Sequence, residues 1–136
     1  MIDTVVKVPI FVRFGDTDPY GVVYFVSYFR YCHWGIEEFL RSLGLEPNDI
    51  FRNREEKFGL PVVGAKCDFY KPVWYGQKLE LHVSLKQVKS KVVVFNFEFY
   101  RPPEEAIIAK GEATLVAIGA DWKSRELPDV LKSRIE

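Results

Sequence analysis

Residues Arg13 to Phe25 read RFGDTDPYGVVYF, placing two acids, a proline and two glycines between a strand-like segment and an aromatic-rich helix. The run Asp18-Pro19-Tyr20-Gly21 has Asp, Pro and Gly at the first, second and fourth positions of a type I turn, where each is favoured. Turn chemistry alone accounts for this composition. Its surroundings add a second possibility. Gly15 and Gly21 let the backbone come close to a bound molecule. The turn also leads into a helix whose first amides lack intrahelical acceptors and carry partial positive charge. A carboxylate beside such donors can act on a carbonyl while the developing oxyanion is stabilised. The aromatic residues Tyr20, Tyr24, Phe25, Tyr28, Phe29, Tyr31 and Trp34 either line an apolar slot there or serve core and interface packing.

Working outward, Val5 to Phe14 has strand-forming residues, and Pro9 marks that strand as an edge or a bulged one. Residues 27–45, SYFRYCHWGIEEFLRSLGL, form a helix. Phe29, Cys32, His33, Ile36, Phe39, Leu40 and Leu43 make its apolar face at helical spacing. Ser27 is a candidate cap at its start, and Gly44 stands where a C-terminal glycine belongs. Residues 46–58 look like a short polar helix and a loop. Four strands follow over 60–73, 77–88, 91–101 and 105–121. In the second, Leu79, Leu81, Val83 and Leu85 alternate with Glu80, His82, Ser84 and Lys86, a period of two. In the third, Val93, Phe95, Phe97 and Phe99 line one face, while the half-apolar back face from Val92 to Tyr100 favours self-association. Tyr75-Gly76 and Arg101-Pro102-Pro103 supply turns, and residues 127–136 read as a short helix. This order, with four strands joined by short turns, predicts an α+β domain over 1–136. Its antiparallel sheet curls around one long helix.

The chain has 136 residues, enough for one domain with a single core. Hydrophobic residues are 48% and aromatics 15%, which argues against disorder and for a bulky core or an apolar pocket. Nineteen basic residues balance nineteen acidic ones, so the global charge gives no basis for nucleic acid or an anionic membrane as the main partner. Cys32 and Cys67 match no metal or redox spacing and read as reduced core residues. The N-terminal MIDTVVKVPI lacks signal-peptide character. No stretch approaches the ~18 apolar residues of a membrane span. A cytoplasmic protein is expected.

The phrase DTDPYGVVYF over 16–25, between a first strand and a long helix followed by four strands, resembles the hotdog-fold acyl-CoA thioesterases. It is most similar to the group containing 4-hydroxybenzoyl-CoA thioesterase and the Tol-Pal-associated acyl-CoA thioesterases. The likeness in length and element order covers essentially the whole chain. It implies a hotdog fold, with a five-stranded antiparallel sheet wrapped around the long helix. It also implies hydrolysis of an acyl-CoA to free coenzyme A and a carboxylic acid. Asp18 then corresponds to the catalytic carboxylate, as nucleophile or as general base on water. The backbone N–H of Phe25 corresponds to the donor that polarises the thioester carbonyl. Many members have histidine or tyrosine at this position, so Phe25 bears on substrate preference, whereas a main-chain donor survives the change. Tyr24 is assigned to substrate binding, and Asp16 and Gly21 to structural support of the loop.

Lys89 and Lys91, in KQVKSK over 86–91, match basic positions that contact the coenzyme's phosphates; a solvated turn explains them equally. Arg101 and Lys66 are weaker candidates. The resemblance implies a homodimer or homotetramer with sites at the chain interface, and neither metal nor redox cofactor, coenzyme A entering as part of the substrate. His82 is expected to face solvent. His33, near the buried face of the helix, is expected to be hydrogen-bonded rather than catalytic, and neither histidine supports a metal site or a triad. Two other functions compete: a hotdog dehydratase, which would need a histidine beside an acid, and a non-catalytic module that binds an acyl thioester or a protein.

Overall fold

The computed structural model describes residues 1–136. In chain order the elements are β1 (Val6–Phe11), a 3-10 turn (Phe14–Asp16), α1 (Phe25–Ser42), α2 (Pro47–Phe51), β2 (Arg52–Asn53), β3 (Phe58–Gly59), β4 (Val62–Phe69), β5 (Lys78–Val88), β6 (Val92–Tyr100), β7 (Ile107–Val116), β8 (Ile118–Gly119) and α3 (Asp129–Ile135). The main sheet is antiparallel and ordered β1-β5-β6-β7-β4. Pro9, which cannot donate to a ladder, lies on the edge strand β1 opposite Glu80. The sheet with its one long helix is the architecture expected from the order of elements. A second sheet, β2-β3-β8, was not foreseen, because two-residue strands carry no periodicity.

The alternation in β5 and β6 sets the core. Leu79, Leu81 and Val83, with Phe97 and Phe99, are fully buried against α1. Each such side chain stabilises the fold by roughly 1.5–3 kcal/mol through burial. The helix rests directly on β5 at Gly35, where a Cβ would stand 2.7 Å from Val83 Cγ2. Its C-terminus closes as a Schellman motif: Gly44 takes φ +77°, its N–H donates to Arg41 O at 2.9 Å, and Leu45 N–H donates to Leu40 O at 3.0 Å.

Two expectations for α1 change. Its N-cap is Tyr24, and Ser27 lies inside the first turn, fully buried. The buried stripe runs through Tyr28, Tyr31, Cys32, Gly35, Ile36, Phe39 and Leu40, leaving His33 exposed. The stripe turns toward the tyrosines because Tyr31 has an internal hydrogen-bond partner, which hydrophobicity does not register. His33 instead stacks on Phe51 at 4.8 Å and lies 3.7 Å from Glu37.

The exposed apolar surface also differs from expectation. The back face of β6 is half-buried or better, with Val94 buried. Strand β4, at the end of the sheet, is exposed on both faces, and its outer edge has no strand beside it. Val62, Val63, Phe69 and the following Tyr70 are all exposed there.

Candidate active site

The site begins with Asp16, a buried acid. Its Oδ2 accepts the Arg13 N–H at 3.0 Å and the Tyr31 hydroxyl at 2.8 Å, while Oδ1 accepts Arg30 Nη2 at 3.1 Å. Its carbonyl accepts the Ser27 hydroxyl at 2.9 Å and the Tyr24 N–H at 2.8 Å. Every oxygen of Asp16 is therefore engaged in fastening the 3-10 turn to the first turn of α1. Arg30 was missed in the sequence, and Tyr31 was read only as a slot or packing aromatic, because their partner lies fourteen or fifteen residues upstream, outside any local motif. Burial and the neighbouring carboxylate raise the Tyr31 hydroxyl well above the usual tyrosine range.

Two residues later the chain makes the turn read from its composition. Gly21 N–H donates to Asp18 O at 2.9 Å, and Gly21 takes φ +95°, a conformation that favours glycine. Asp18 Oδ1 accepts the Tyr20 N–H at 2.9 Å and the Val22 N–H at 3.4 Å. Oδ2 makes no hydrogen bond within the chain. The turn is held on its far side by Val23 N–H, which donates to Val73 O at 2.8 Å, and by the Trp74 ring, which packs against Gly21.

Asp18 and Phe25 share a cleft of about 330 Å³ with Tyr28, Phe69, Tyr70 and Val73. At the start of α1, Ser27 N–H is taken by Tyr24 O, whereas Phe25 N–H has no acceptor in the chain. Asp18, with one carboxylate oxygen unengaged, and Phe25, with its helix-terminal amide unengaged, thus both line a mostly apolar space. Tyr28, at the cleft wall, has its hydroxyl pushed up to about 12, first by burial, then by the Cys67 thiol and against Arg101, so it is neutral near pH 7. Burial, with Asp68 second, also pushes the Cys67 thiol up to about 12.

The other candidates fall elsewhere. Tyr24 stands beside the cleft, its ring edge-on to Phe25 at 4.9 Å. Arg101 is occupied with Glu104, Pro72 O and Gln77, bracing the loop that carries Val73. Lys66 pairs with Glu112 at 3.7 Å. Lys89 and Lys91 form the β5–β6 hairpin, at the opposite end of β5 from the Asp18 turn, about 30 Å away at ordinary strand rise. Within one chain they do not meet the cleft. His82 is only partly exposed: it lies 2.7 Å from Glu80 and leans on Tyr100. No three His, Cys, Asp or Glu side chains converge as metal ligands, and no helix is long and apolar enough to cross a membrane.

Comparison with known proteins gives the family of the chain. Residues 12–135 match the family model described as the thioesterase-like superfamily. The chain belongs to that superfamily. A 1,4-dihydroxy-2-naphthoyl-CoA hydrolase from Synechococcus sp. (strain WH7803) is 35% identical over 131 residues, covering 92% of this chain and 84% of the relative. One of the same description from Nostoc punctiforme (strain ATCC 29133 / PCC 73102) is 36% identical over 126 residues, with 92% and 82% covered. The crystal structure of a 1,4-dihydroxy-2-naphthoyl-CoA thioesterase from Synechocystis superposes with a TM-score of 0.89 at 26% identity, over 97% of this chain and 96% of that one. The fold is the hotdog fold, and the chain is an enzyme of the thioester hydrolase class.

Proposed function

We propose that this thioesterase hydrolyses an aromatic acyl-CoA, of the 1,4-dihydroxy-2-naphthoyl type named for its relatives, to free coenzyme A and the carboxylic acid. The observation that carries this reading is that Asp18, with a free carboxylate oxygen, and Phe25, with a free helix-terminal amide, line the same mostly apolar cleft. The flat walls given by Tyr28, Phe69 and Tyr70 suit an aromatic ring.

With the thioester carbonyl oxygen directed at the Phe25 amide, charge developing on that oxygen meets a preorganised donor at a helix N-terminus. Asp18 acts by one of two routes. As nucleophile it forms an acyl-carboxylate anhydride, expelling the thiolate, and water then cleaves the anhydride. As general base it takes a proton from water as the water oxygen attacks. Both consume one water and yield acid and thiol; incorporation of labelled oxygen into Asp18 marks the first. Neither needs a metal or redox cofactor.

The working unit in this proposal is a cytoplasmic homodimer, or a tetramer of dimers. An edge strand with exposed apolar side chains is a ready pairing surface. Pairing β4 with its own copy about a two-fold axis sets the Val62 end of one strand beside the Phe69 end of the other. The first end neighbours the lysine hairpin, through β7 and β6, and the second borders the Asp18 cleft. Dimerisation would therefore unite the two groups that one chain keeps apart.

The test is thiol release from 1,4-dihydroxy-2-naphthoyl-CoA and a panel of aromatic and aliphatic acyl-CoAs, comparing wild type with Asp18→Asn. Turnover by wild type and its collapse in the variant support the reading. Binding without turnover in both would make the chain an acyl-thioester-binding module instead.

A further inference from the structure

Tyr28 is the most deeply buried polar side chain bordering the Asp18 cleft, at 3% exposed. Its ring is held by three others: Phe69 at 4.9 Å, Phe99 edge-on at 5.2 Å and Tyr31 edge-on at 6.0 Å. Contacts from two strands and from α1 itself leave that ring little freedom, so the direction of its hydroxyl is set.

The hydroxyl has no partner. It makes no hydrogen bond in the chain, whereas the hydroxyl of Tyr31, the other buried tyrosine of α1, donates to Asp16 at 2.8 Å. Nearby cations are committed elsewhere, Arg101 to Glu104, Pro72 O and Gln77, and Lys71 to Glu104. No side-chain nitrogen or oxygen of the chain is both sealed from the surface and unpartnered. The Tyr28 oxygen therefore keeps an opening, and the cleft that the residue lines is where it opens. An unpaired hydroxyl in such a place gives up free energy that a ligand atom can restore.

The other polar lining groups have different work. Asp18 and the Phe25 amide face the reaction in the reading above, Lys71 is paired, and Tyr70 is exposed. Tyr28 is thus the single buried, uncharged hydroxyl on otherwise apolar walls, the means by which small-molecule sites fix a ligand's orientation. It lies three residues after Phe25, on the same face and about 4.5 Å further along α1. A carbonyl oxygen held at the Phe25 amide leaves its attached ring to lie along that face. Burial also sets Tyr28 against the acyl group, because the carrier must leave by the exposed side.

We propose that the Tyr28 hydroxyl determines specificity by hydrogen-bonding a ring hydroxyl of the aromatic acyl group. The proposal rests on the aromatic acyl-CoA reading above and adds the atom that distinguishes a hydroxylated ring from a bare one. A phenol both donates and accepts, so it pairs with a ring hydroxyl whichever way that proton points. A bare ring leaves the buried hydroxyl unpaired, and the penalty falls on the wrong substrate.

The experiment measures kcat/KM of wild type and Tyr28→Phe on 1,4-dihydroxy-2-naphthoyl-CoA and on 2-naphthoyl-CoA, which lacks only the two hydroxyls. Phenylalanine keeps the ring and its three aromatic contacts and removes no internal hydrogen bond, so the melting temperature at pH 7 should hold. The preference for the hydroxylated ring is expected to fall about ten-fold or more from wild type to variant. In that comparison the intrinsic reactivities of the two thioesters cancel. Equal losses on both substrates would place the hydroxyl at the thioester or in packing, and an unchanged preference would remove it from recognition; either overturns the proposal. If wild type hydrolyses neither thioester, the hydrolase reading fails and binding of the free acids decides separately. Calorimetry then compares 1,4-dihydroxy-2-naphthoic and 2-naphthoic acids on both proteins. Tighter binding of the hydroxylated acid by wild type alone supports Tyr28; matched affinities in the two proteins, or no binding, overturn it.

Discussion

The Tyr31 hydroxyl donates to Asp16 Oδ2 at 2.8 Å, joining the middle of the helix to the turn that precedes it by fifteen residues. Both groups are buried. Because the Asp18 turn starts two residues after Asp16, this bond also fixes where the catalytic candidate stands. Tyr31→Phe removes the donor and is expected to lower stability by about 1.5–3 kcal/mol, the range for hydrogen bonds to a charged group. Thermal or urea denaturation measures it. An unchanged midpoint would mean that Arg13 and Arg30 alone hold the carboxylate.

Asp18→Asn is expected to behave in the opposite way. Asparagine keeps a side-chain oxygen for the Tyr20 N–H, so the melting temperature should stay near wild type. Thiol release should fall at least a hundred-fold, or ~3 kcal/mol of transition-state stabilisation. Loss of activity together with loss of fold would instead mark Asp18 as a structural turn residue.

Phe25→Pro tests the amide itself. Phe25 is the first residue of α1, a position where proline is well tolerated because the missing N–H has no helical acceptor. Tyr24, at φ −66° and ψ 134°, already has the backbone that precedes proline. Helix content by circular dichroism should persist while thiol release drops about a hundred-fold or more. Phe25→Ala keeps the amide and separates it from the ring; equal losses in both variants would refute a main-chain oxyanion donor.

Alkaline pH should destabilise the fold early. Tyr28 and Cys67 are both pushed up to about 12, from 10.0 and 9.0, and Tyr31 is raised as well. The folded state therefore holds these protons more tightly than the unfolded chain does. Stability is fully present below about pH 9 and is lost as pH rises toward 12, the unfolded thiol ionising first. Urea midpoints between pH 8 and 11 should decline. Tyr28→Phe should flatten the upper part of that decline, and a curve of unchanged slope would remove Tyr28 from the account.

The edge strand makes two separable predictions. Val63→Glu places a charge on the exposed apolar edge and should shift sedimentation toward monomer, with activity falling in parallel. Gly111→Ala acts from the other side of β4: the added methyl would stand 2.7 Å from Lys66 O, a main-chain atom that cannot swing aside. It is expected to cost about 1–3 kcal/mol of stability. Full stability in Gly111→Ala would show that β4 can shift, which an isolated edge strand permits and a paired one resists.

Local pattern made much of this protein legible. The alternation from Leu79 to Leu85 places those side chains inside, the Asp18-Pro19-Tyr20-Gly21 run makes its turn, and Gly44 ends the long helix, because each depends on residues within a turn or two of itself. The order of elements then leaves little freedom in the antiparallel main sheet. Only tertiary structure decided the rest. Tyr31 turns inward for a carboxylate fifteen residues away, displacing His33 to the surface. Arg101 is drawn from a possible ligand contact into bracing the loop beside the cleft. Lys89 and Lys91 lie at the far end of the sheet from Asp18, and Tyr28 meets Phe69 and Phe99 from strands far along the chain. The physical reason is common to all four: short-range propensity fixes which element a residue joins, but the partner that a polar or aromatic side chain meets is chosen by packing between elements distant in sequence.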